Sequence, residues 1–101
     1  MEFERLVENG VTIYHVTGRI DSNTAPRLDD ELKTGLVGVE NLVFDLDGLE
    51  YTSSAGLRVL LSAYKTMSKQ GKMTFKNVSQ AVREIFDITG MSDFFVIELL
   101  I

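Results

Sequence analysis

The chain has no cysteine and no tryptophan, and it contains only one histidine and one proline in 101 residues. Without cysteine, neither a disulfide nor a thiolate metal site can form, and one histidine cannot build a histidine-rich metal site. No apolar run approaches the roughly 20 residues that a membrane-spanning helix needs. The N-terminus is acidic and mixed, unlike a signal peptide. We therefore expect a cytoplasmic protein that makes no direct contact with a membrane.

Positive charge is also scarce. Ten lysines and arginines stand against fifteen acidic residues, so the net charge is −5 at pH 7. Nucleic-acid binding usually needs a basic surface, and the lysines here are scattered, so we expect no nucleic-acid partner. A hydrophobic content of 45% and a charged content of 25% are typical of a soluble globular protein. At this length we expect residues 1–101 to form a single domain.

Apolar periodicity and turn residues predict strands that alternate with helices. Asn9-Gly10 between two apolar segments is a strong hairpin signal. Strands are predicted over residues 3–7, 11–17, 41–46, 73–75 and 94–101. Helices are predicted over residues 24–37, over 57–67 with Gly71 as the C-terminal cap, and between Ser79, as the N-cap, and Gly90, which lies past the helix end. The order β-β-α-β-α-β-α-β indicates an α/β fold with a mixed sheet of four to five strands and a layer of three to four helices.

The most informative segment spans residues 42–61, where a buried strand, a short polar loop and a helix follow one another. Thr52, Ser53 and Ser54 lie at the predicted helix start, whose free N–H groups and positive dipole end favour an anion. By pattern alone, Ser54 is best explained as an N-cap. The two explanations are compatible, because an N-cap serine can also be a phosphate acceptor and a helix start stabilises a phosphoserine. Ala55-Gly56 leave the backbone accessible to a partner.

A second polar loop, Asp21-Ser22-Asn23-Thr24, precedes Pro26 and the first predicted helix. These are typical capping residues, and capping accounts for them without any further role. However, if the strands before the two polar loops are parallel neighbours, both loops lie at one edge of the sheet. Open α/β sheets usually place their binding sites at that edge.

Other candidate sites are weaker. Asp45 with Asp47, or Asp29 with Asp30, could suggest a magnesium site, but Asp45 is better explained by hydrogen bonds to loop N–H groups at a strand end. His15 is predicted to be a solvated or hydrogen-bonded surface residue. The sequence contains no combination of nucleophile, base and orienting group, and no phosphate-binding glycine pattern. We expect no metal, no cofactor and no enzymatic activity.

Three segments of the sequence, taken together in their order along the chain, indicate a protein family. Residues 18–21 read Gly-Arg-Ile-Asp, residues 45–57 contain Ser53-Ser54-Ala55-Gly56-Leu57 after a strand, and residues 77–91 contain the third predicted helix. Together they resemble the STAS domain family, as in the bacterial anti-sigma factor antagonists, over nearly the whole chain. One position departs from that family, because the residue before the signature serine is typically aspartate and here it is Ser53.

The resemblance implies a partner-switching role. It implies that the unmodified protein binds an anti-sigma factor that is also a serine kinase, that phosphorylation ends this binding, and that a PP2C-type phosphatase restores it. By position, the phosphorylated serine corresponds to Ser54, with Ser53 and Thr52 as alternates, and the aspartate near the kinase corresponds to Asp21. The partner is expected to contact both polar loops, at Asp21, Ser22, Asn23, Thr24, Ser53, Ala55, Gly56, Leu57 and Arg58.

Some alternatives stay open at this stage. The same fold serves as an accessory subunit of transport systems and as a stressosome-like scaffold, and some STAS domains have been proposed to bind nucleotides at the signature loop. The apolar C-terminal segment, residues 96–101, could also form an edge strand that pairs with another copy to give a homodimer.

Overall fold

A sheet of six strands and three α-helices make up the computed structural model of this chain, which describes residues 1–98. The mixed α/β class and the helical layer are confirmed, whereas the sheet has six strands rather than four to five. The elements in chain order are β1 (Glu2–Glu8), β2 (Val11–Ile20), α1 (Ala25–Gly35), β3 (Asn41–Asp45), β4 (Leu49–Thr52), α2 (Ser54–Met67), β5 (Lys72–Lys76), α3 (Gln80–Ile88) and β6 (Val96–Ile97), with a short 3-10 helix over Met91–Asp93 before β6.

The main sheet has the strand order β1-β2-β3-β5-β6. β1 and β2 are antiparallel, and the other pairs are parallel. The predicted hairpin turn is confirmed, since Asn9 and Gly10 both have positive φ, at 51° and 79°. Two central residues with positive φ match the right-handed twist of the flanking strands.

The strand that the sequence pattern did not predict is β4, which falls where a turn leading into a helix was expected. It pairs in parallel with the end of β2, where Ile20 lies opposite Thr52. With only four residues, β4 is too short to show the alternation by which a strand is recognised. Its pairing partner lies about thirty residues earlier in the chain, so no local signal marks it.

The three helices pack against one face of the sheet and enclose a core. That sheet face carries Tyr14, Phe44 and Phe75, all fully buried. The helices contribute the buried side chains of Leu28 and Leu32 from α1, Leu57, Leu60 and Met67 from α2, and Val82 and Phe86 from α3. The opposite face carries the alternate residues of the same strands, which stay partly exposed.

Several element ends differ from the predicted ones by a few residues. The first helix begins at Ala25 with Pro26 in its first turn, as predicted. α2 ends at Met67 with Ser68 as its C-cap, so the predicted cap Gly71 lies beyond it. Ser79 caps α3 as predicted, because its hydroxyl accepts a hydrogen bond from the Val82 N–H at 3.2 Å.

The predicted C-terminal strand is described only in part. Val96–Ile97 form β6, which lies at the edge of the sheet as predicted. Phe94 instead caps the short 3-10 helix, and residues 99–101 of the predicted strand lie outside the described residues. Within residues 1–98, none of the helices combines the length and the apolar character that a bilayer crossing requires.

Candidate functional site

The two polar loops lie side by side at one edge of the sheet. β2 and β4 are parallel neighbours, and their last paired residues are Ile20 and Thr52. The next residue, Ser53, donates its backbone N–H to the Ile20 carbonyl at 2.8 Å. The condition set by the sequence, that the strands before the two loops be parallel neighbours, is therefore met. The segments 21–24 and 53–58 form a common surface.

The start of α2 separates the roles of two neighbouring serines. Ser53 has extended backbone angles, and its hydroxyl accepts a hydrogen bond from the Gly56 N–H at 3.3 Å, so Ser53 is the N-cap. The explanation of Ser54 as the N-cap is therefore wrong. β4 keeps the chain extended through Ser53, and an N-cap needs that extended conformation. Ser54 is the first helical residue, and its side chain is exposed to solvent.

Three of the predicted site residues lie in the interior rather than on the surface. Thr52 is only 2% exposed, and its hydroxyl donates to the Ser53 carbonyl at 3.2 Å. Gly56 is in close contact with the strands below it, because a Cβ there would lie 2.2 Å from Thr52 Oγ1 and 2.7 Å from Ile20 Cγ2. Leu57 belongs to the core. Thr52, Gly56 and Leu57 therefore support the loop from beneath.

The first polar loop is organised by the Asp21 carboxylate. Its Oδ1 accepts hydrogen bonds from the backbone N–H of Thr24 at 3.0 Å and of Asn23 at 2.9 Å. These two bonds, that of Thr24 first, lower the pKa of Asp21, with a further bond from the Thr24 hydroxyl. Thr24 occupies the N-cap position of α1, but its side chain makes no capping bond. The predicted capping cluster thus works through Asp21, which is held as an anion.

A groove of about 410 Å³ runs between α1 and α2 and joins the two loops. Three of its residues, Ser22, Ala55 and Arg58, belong to the predicted site. The sequence-based site missed the other five, although they lie on the two helices whose starts it included, at mutual spacings of three and four residues: Ala25, Pro26, Asp29, Val59 and Ser62. That spacing of three and four residues is the signal that could have identified them.

The groove has a charged residue on each wall. Asp29 lies on α1 and forms an ion pair with Lys33 at 3.4 Å. Arg58 lies on α2, is exposed, and forms no ion pair within residues 1–98. Small side chains line the rest of the groove. The surface can therefore accept a side chain of a protein partner and offers that partner a free guanidinium group.

The other candidate groups have structural explanations. Asp45 Oδ1 accepts from Asn77 Nδ2 at 2.9 Å and from the Asp47 N–H at 3.1 Å, as predicted for a strand-end carboxylate. Burial alone would raise the pKa of Asp45, but these bonds and the charges of His15 and Lys76 together lower it. His15 Nε2 donates to the Asp47 carbonyl at 2.9 Å. No cluster of three or more potential metal ligands occurs in residues 1–98.

Known proteins resemble this chain in sequence and in fold. The sequence pattern of the STAS domain matches residues 2–100. The anti-sigma-B factor antagonist of Bacillus subtilis is 32% identical over 87 residues, which cover 85% of this chain and 79% of that protein. An anti-sigma factor antagonist from Mycobacterium paratuberculosis has a TM-score of 0.89 at 26% identity, with 99% of this chain and 86% of that chain covered.

A more distant structure extends the fold comparison. The Bacillus cell fate determinant SpoIIAA, solved in its phosphorylated form, has a TM-score of 0.74 at 16% identity, with 97% of this chain and 92% of that chain covered. The match of the family pattern to nearly the whole sequence, with a relative above 30% identity, places this chain in the STAS domain family.

Proposed function

We propose that this chain is a cytoplasmic antagonist of an anti-sigma factor and that it acts by binding rather than by catalysis. The single observation that carries the proposal is the position of Ser54. Its exposed side chain is the first of α2. It follows Ser53, whose N–H donates to the Ile20 carbonyl just before the loop ordered by Asp21. It precedes Ala55, which lines the groove between α1 and α2. The names of the relatives point to the same role. The partner is then an anti-sigma factor that is also a serine kinase.

The proposed partner surface consists of the exposed parts of both loops and the groove between them. Ser22, Asn23 and Arg58 are exposed, and Ala55 is partly exposed. The ordered Asp21 carboxylate presents a negative charge at one side, and the Arg58 guanidinium offers a positive charge at the other. A partner with the opposite charge arrangement gains orientation and association rate from this pattern.

Phosphorylation of Ser54 is the proposed switch. Thr52 is buried, and the Ser53 hydroxyl is occupied as the helix cap, whereas the Ser54 side chain is exposed. A phosphate adds about −1.5 to −2 charges, which a helix N-terminus tolerates but a docked partner does not. A loss of about 3 kcal/mol at this surface would weaken binding by more than a hundredfold. A PP2C-type phosphatase would restore binding.

Phosphate mapping tests the choice of serine. The full chain is incubated with its cognate anti-sigma factor kinase and ATP, and the phosphorylated residue is identified by peptide mass spectrometry. We expect one phosphate on Ser54, none on the Ser54→Ala variant, and continued phosphorylation of Ser53→Ala. A phosphate on Ser53 in the unmodified sequence, or no phosphate on residues 52–54, would contradict the proposed switch.

Calorimetry with the same anti-sigma factor tests the consequence. The Ser54→Asp variant should bind at least about a hundredfold more weakly than the unmodified chain. Ser68→Asp is the matched control, because Ser68 is exposed at the other end of α2. This variant should bind the anti-sigma factor as tightly as the unmodified chain does. Retained binding by Ser54→Asp would contradict the mechanism. A pull-down that returns only transporter subunits would contradict the sigma-factor role itself.

The predicted homodimer through the β6 edge stays a prediction.

A further inference from the structure

The sheet face opposite the helices carries a row of mostly apolar residues, with one threonine in it. Register pairs Leu6 with Ile13, Ile13 with Val43, Val43 with Thr74, and Thr74 with Val96, so these side chains cross the sheet on one face. We call this surface the open face. Leu6 is 42% exposed and Val96 is 62% exposed, and the hydrophobic members of the row lie outside the core cluster. Within residues 1–98, the hollow on this face is lined by strand and turn residues of β1, β2, β3 and β5 and by Glu98, just after β6.

Charged residues flank the apolar row in an ordered way. On one side, Glu4 of β1 begins a row that runs through His15 and Asp45 to Lys76 of β5. On the other side, Glu8 lies on β1 and Lys72 lies on β5. These two glutamates and two lysines are exposed, and none of them forms an ion pair within residues 1–98. The open face is therefore acidic along β1 and basic along β5. The exposed Glu98, just after β6, adds a negative charge beyond β5 and lines the same hollow as Lys76.

We propose that the open face is a self-association surface for a second copy of this chain. A two-fold axis parallel to the strands, between β2 and β3, places β1 of each copy over β5 of the other. Glu4 then faces Lys76, Glu8 faces Lys72, and each apolar row packs on the other. The perpendicular in-plane axis would place β1 over β1, with acidic residues facing each other, so the charges select one orientation.

The geometry is that of two aligned sheets packed face to face. Such sheets pack about 10 Å apart with their strands within about 30°. Four strands about 4.8 Å apart and about six residues long offer on the order of 400 Å² of flat area per copy. That is less than the roughly 800 Å² per partner of a standard interface, so we expect a weak dimer. The surface around Ser54 lies on the helical side and stays free, so this inference does not depend on the proposed function.

Sedimentation of the full chain over micromolar to millimolar concentrations tests the proposal. We expect a reversible monomer–dimer equilibrium. The charge reversals Glu4→Lys and Lys76→Glu should each weaken the dimer about tenfold, because each charge is used twice in a two-fold dimer. The double variant should recover the original dissociation constant to within about threefold. Within one chain the two residues are three strands apart, so an intramolecular contact cannot explain recovery.

Lys69→Glu is the matched control, since Lys69 is exposed just beyond α2 and should not change the dissociation constant. Circular dichroism confirms that each variant is folded before it is sedimented. A chain that stays monomeric throughout the range would overturn the proposal. The proposal would also be overturned if the chain dimerises and all three open-face variants leave the dissociation constant unchanged. The contact between the two copies would then lie elsewhere, as in pairing through the β6 edge.

Discussion

At the residue scale, the two serines at the start of α2 differ because the chain changes from extended to helical between them. Ser53 keeps the extended conformation of β4, and its hydroxyl satisfies a free N–H of the helix. Ser54 is already helical, and its side chain is exposed. Ser53 therefore stabilises the start of the helix, and the Ser54 side chain stays accessible from solvent.

This difference predicts effects of unequal size on stability for two alanine substitutions. Ser53→Ala removes the cap and should lower the free energy of unfolding by about 1 kcal/mol. Ser54→Ala removes no contact of the fold and should change it by less than about 0.5 kcal/mol. Urea unfolding followed by circular dichroism measures both. A larger loss for Ser54→Ala than for Ser53→Ala would show that the cap is misassigned.

The Asp21 carboxylate predicts a pH-dependent loop. Backbone hydrogen bonds, first from Thr24 and then from Asn23, lower its pKa in the folded protein. Because the folded pKa is lower than the unfolded one, the stabilisation is present above the unfolded value, near 3.9, and is lost as the pH falls through the folded value. In an acid titration followed by NMR, the Asn23 and Thr24 amide signals should move only at pH values below the ordinary pKa of aspartate. In Asp21→Asn the same acid titration should leave those signals in place, and movement that persists there would implicate another group.

At the element scale, α1 approaches β2 closely at Gly35. A Cβ on Gly35 would lie 1.8 Å from the Tyr14 hydroxyl oxygen. That hydroxyl donates to Glu31 at 2.9 Å, and burial with this bond raises the pKa of Tyr14 to about 12. Tyr14 is fully buried and cannot move aside. The crossing of helix and strand therefore requires glycine at this position.

We expect Gly35→Ala to destabilise the protein by about 2 kcal/mol, through overpacking. Adding Tyr14→Phe removes the clashing oxygen, so the double variant should recover about 1 kcal/mol relative to the sum of the single effects. Urea unfolding of the four proteins completes the cycle, and Thr34→Ala, at an exposed neighbouring position of α1, is the control. Strict additivity of the two changes would rule out this contact as the cause.

Elements with strong local signals were predictable, and β4 was not. The hairpin at Asn9-Gly10 and the cap at Ser79 depend on a few adjacent residues, so the pattern identified them. β4 depends on pairing between Ile20 and Thr52, which lie far apart in sequence. The missed strand also explains the wrong N-cap, because β4 carries the extended conformation one residue further than a bare turn would.

At the scale of the whole molecule, the Asp45 carboxylate links separate parts of the chain at one end of the sheet. Asp45 at the end of β3 accepts from Asn77, just after β5, and from the Asp47 backbone in the loop before β4. The net effect of these bonds and of nearby positive charges is a lowered pKa. The charged form therefore stabilises the native arrangement of three parts of the chain.

Global stability should accordingly fall in acid. The Asp45 contribution is complete above the unfolded pKa and is lost as the pH falls through the lower folded value. We expect Asp45→Asn to be less stable than the unmodified chain at pH 7, with a difference that narrows steadily toward acid. Urea midpoints from neutral pH to about pH 2.5 measure this. If the stability difference between Asp45→Asn and the unmodified chain does not depend on pH, the charge of Asp45 does not contribute to stability. Asp47→Asn, at an exposed nearby position, is the control.

The sequence by itself determined the α/β class, the alternation of strands and helices, the hairpin and the segment that carries the family resemblance. These features follow from periodicity and from backbone preferences of adjacent residues. Tertiary structure decided which serine caps α2, which predicted contact residues are buried, and that a groove joins the two loops. It did so because strand pairing and helix packing between distant residues set where the chain turns and which side chains reach the surface.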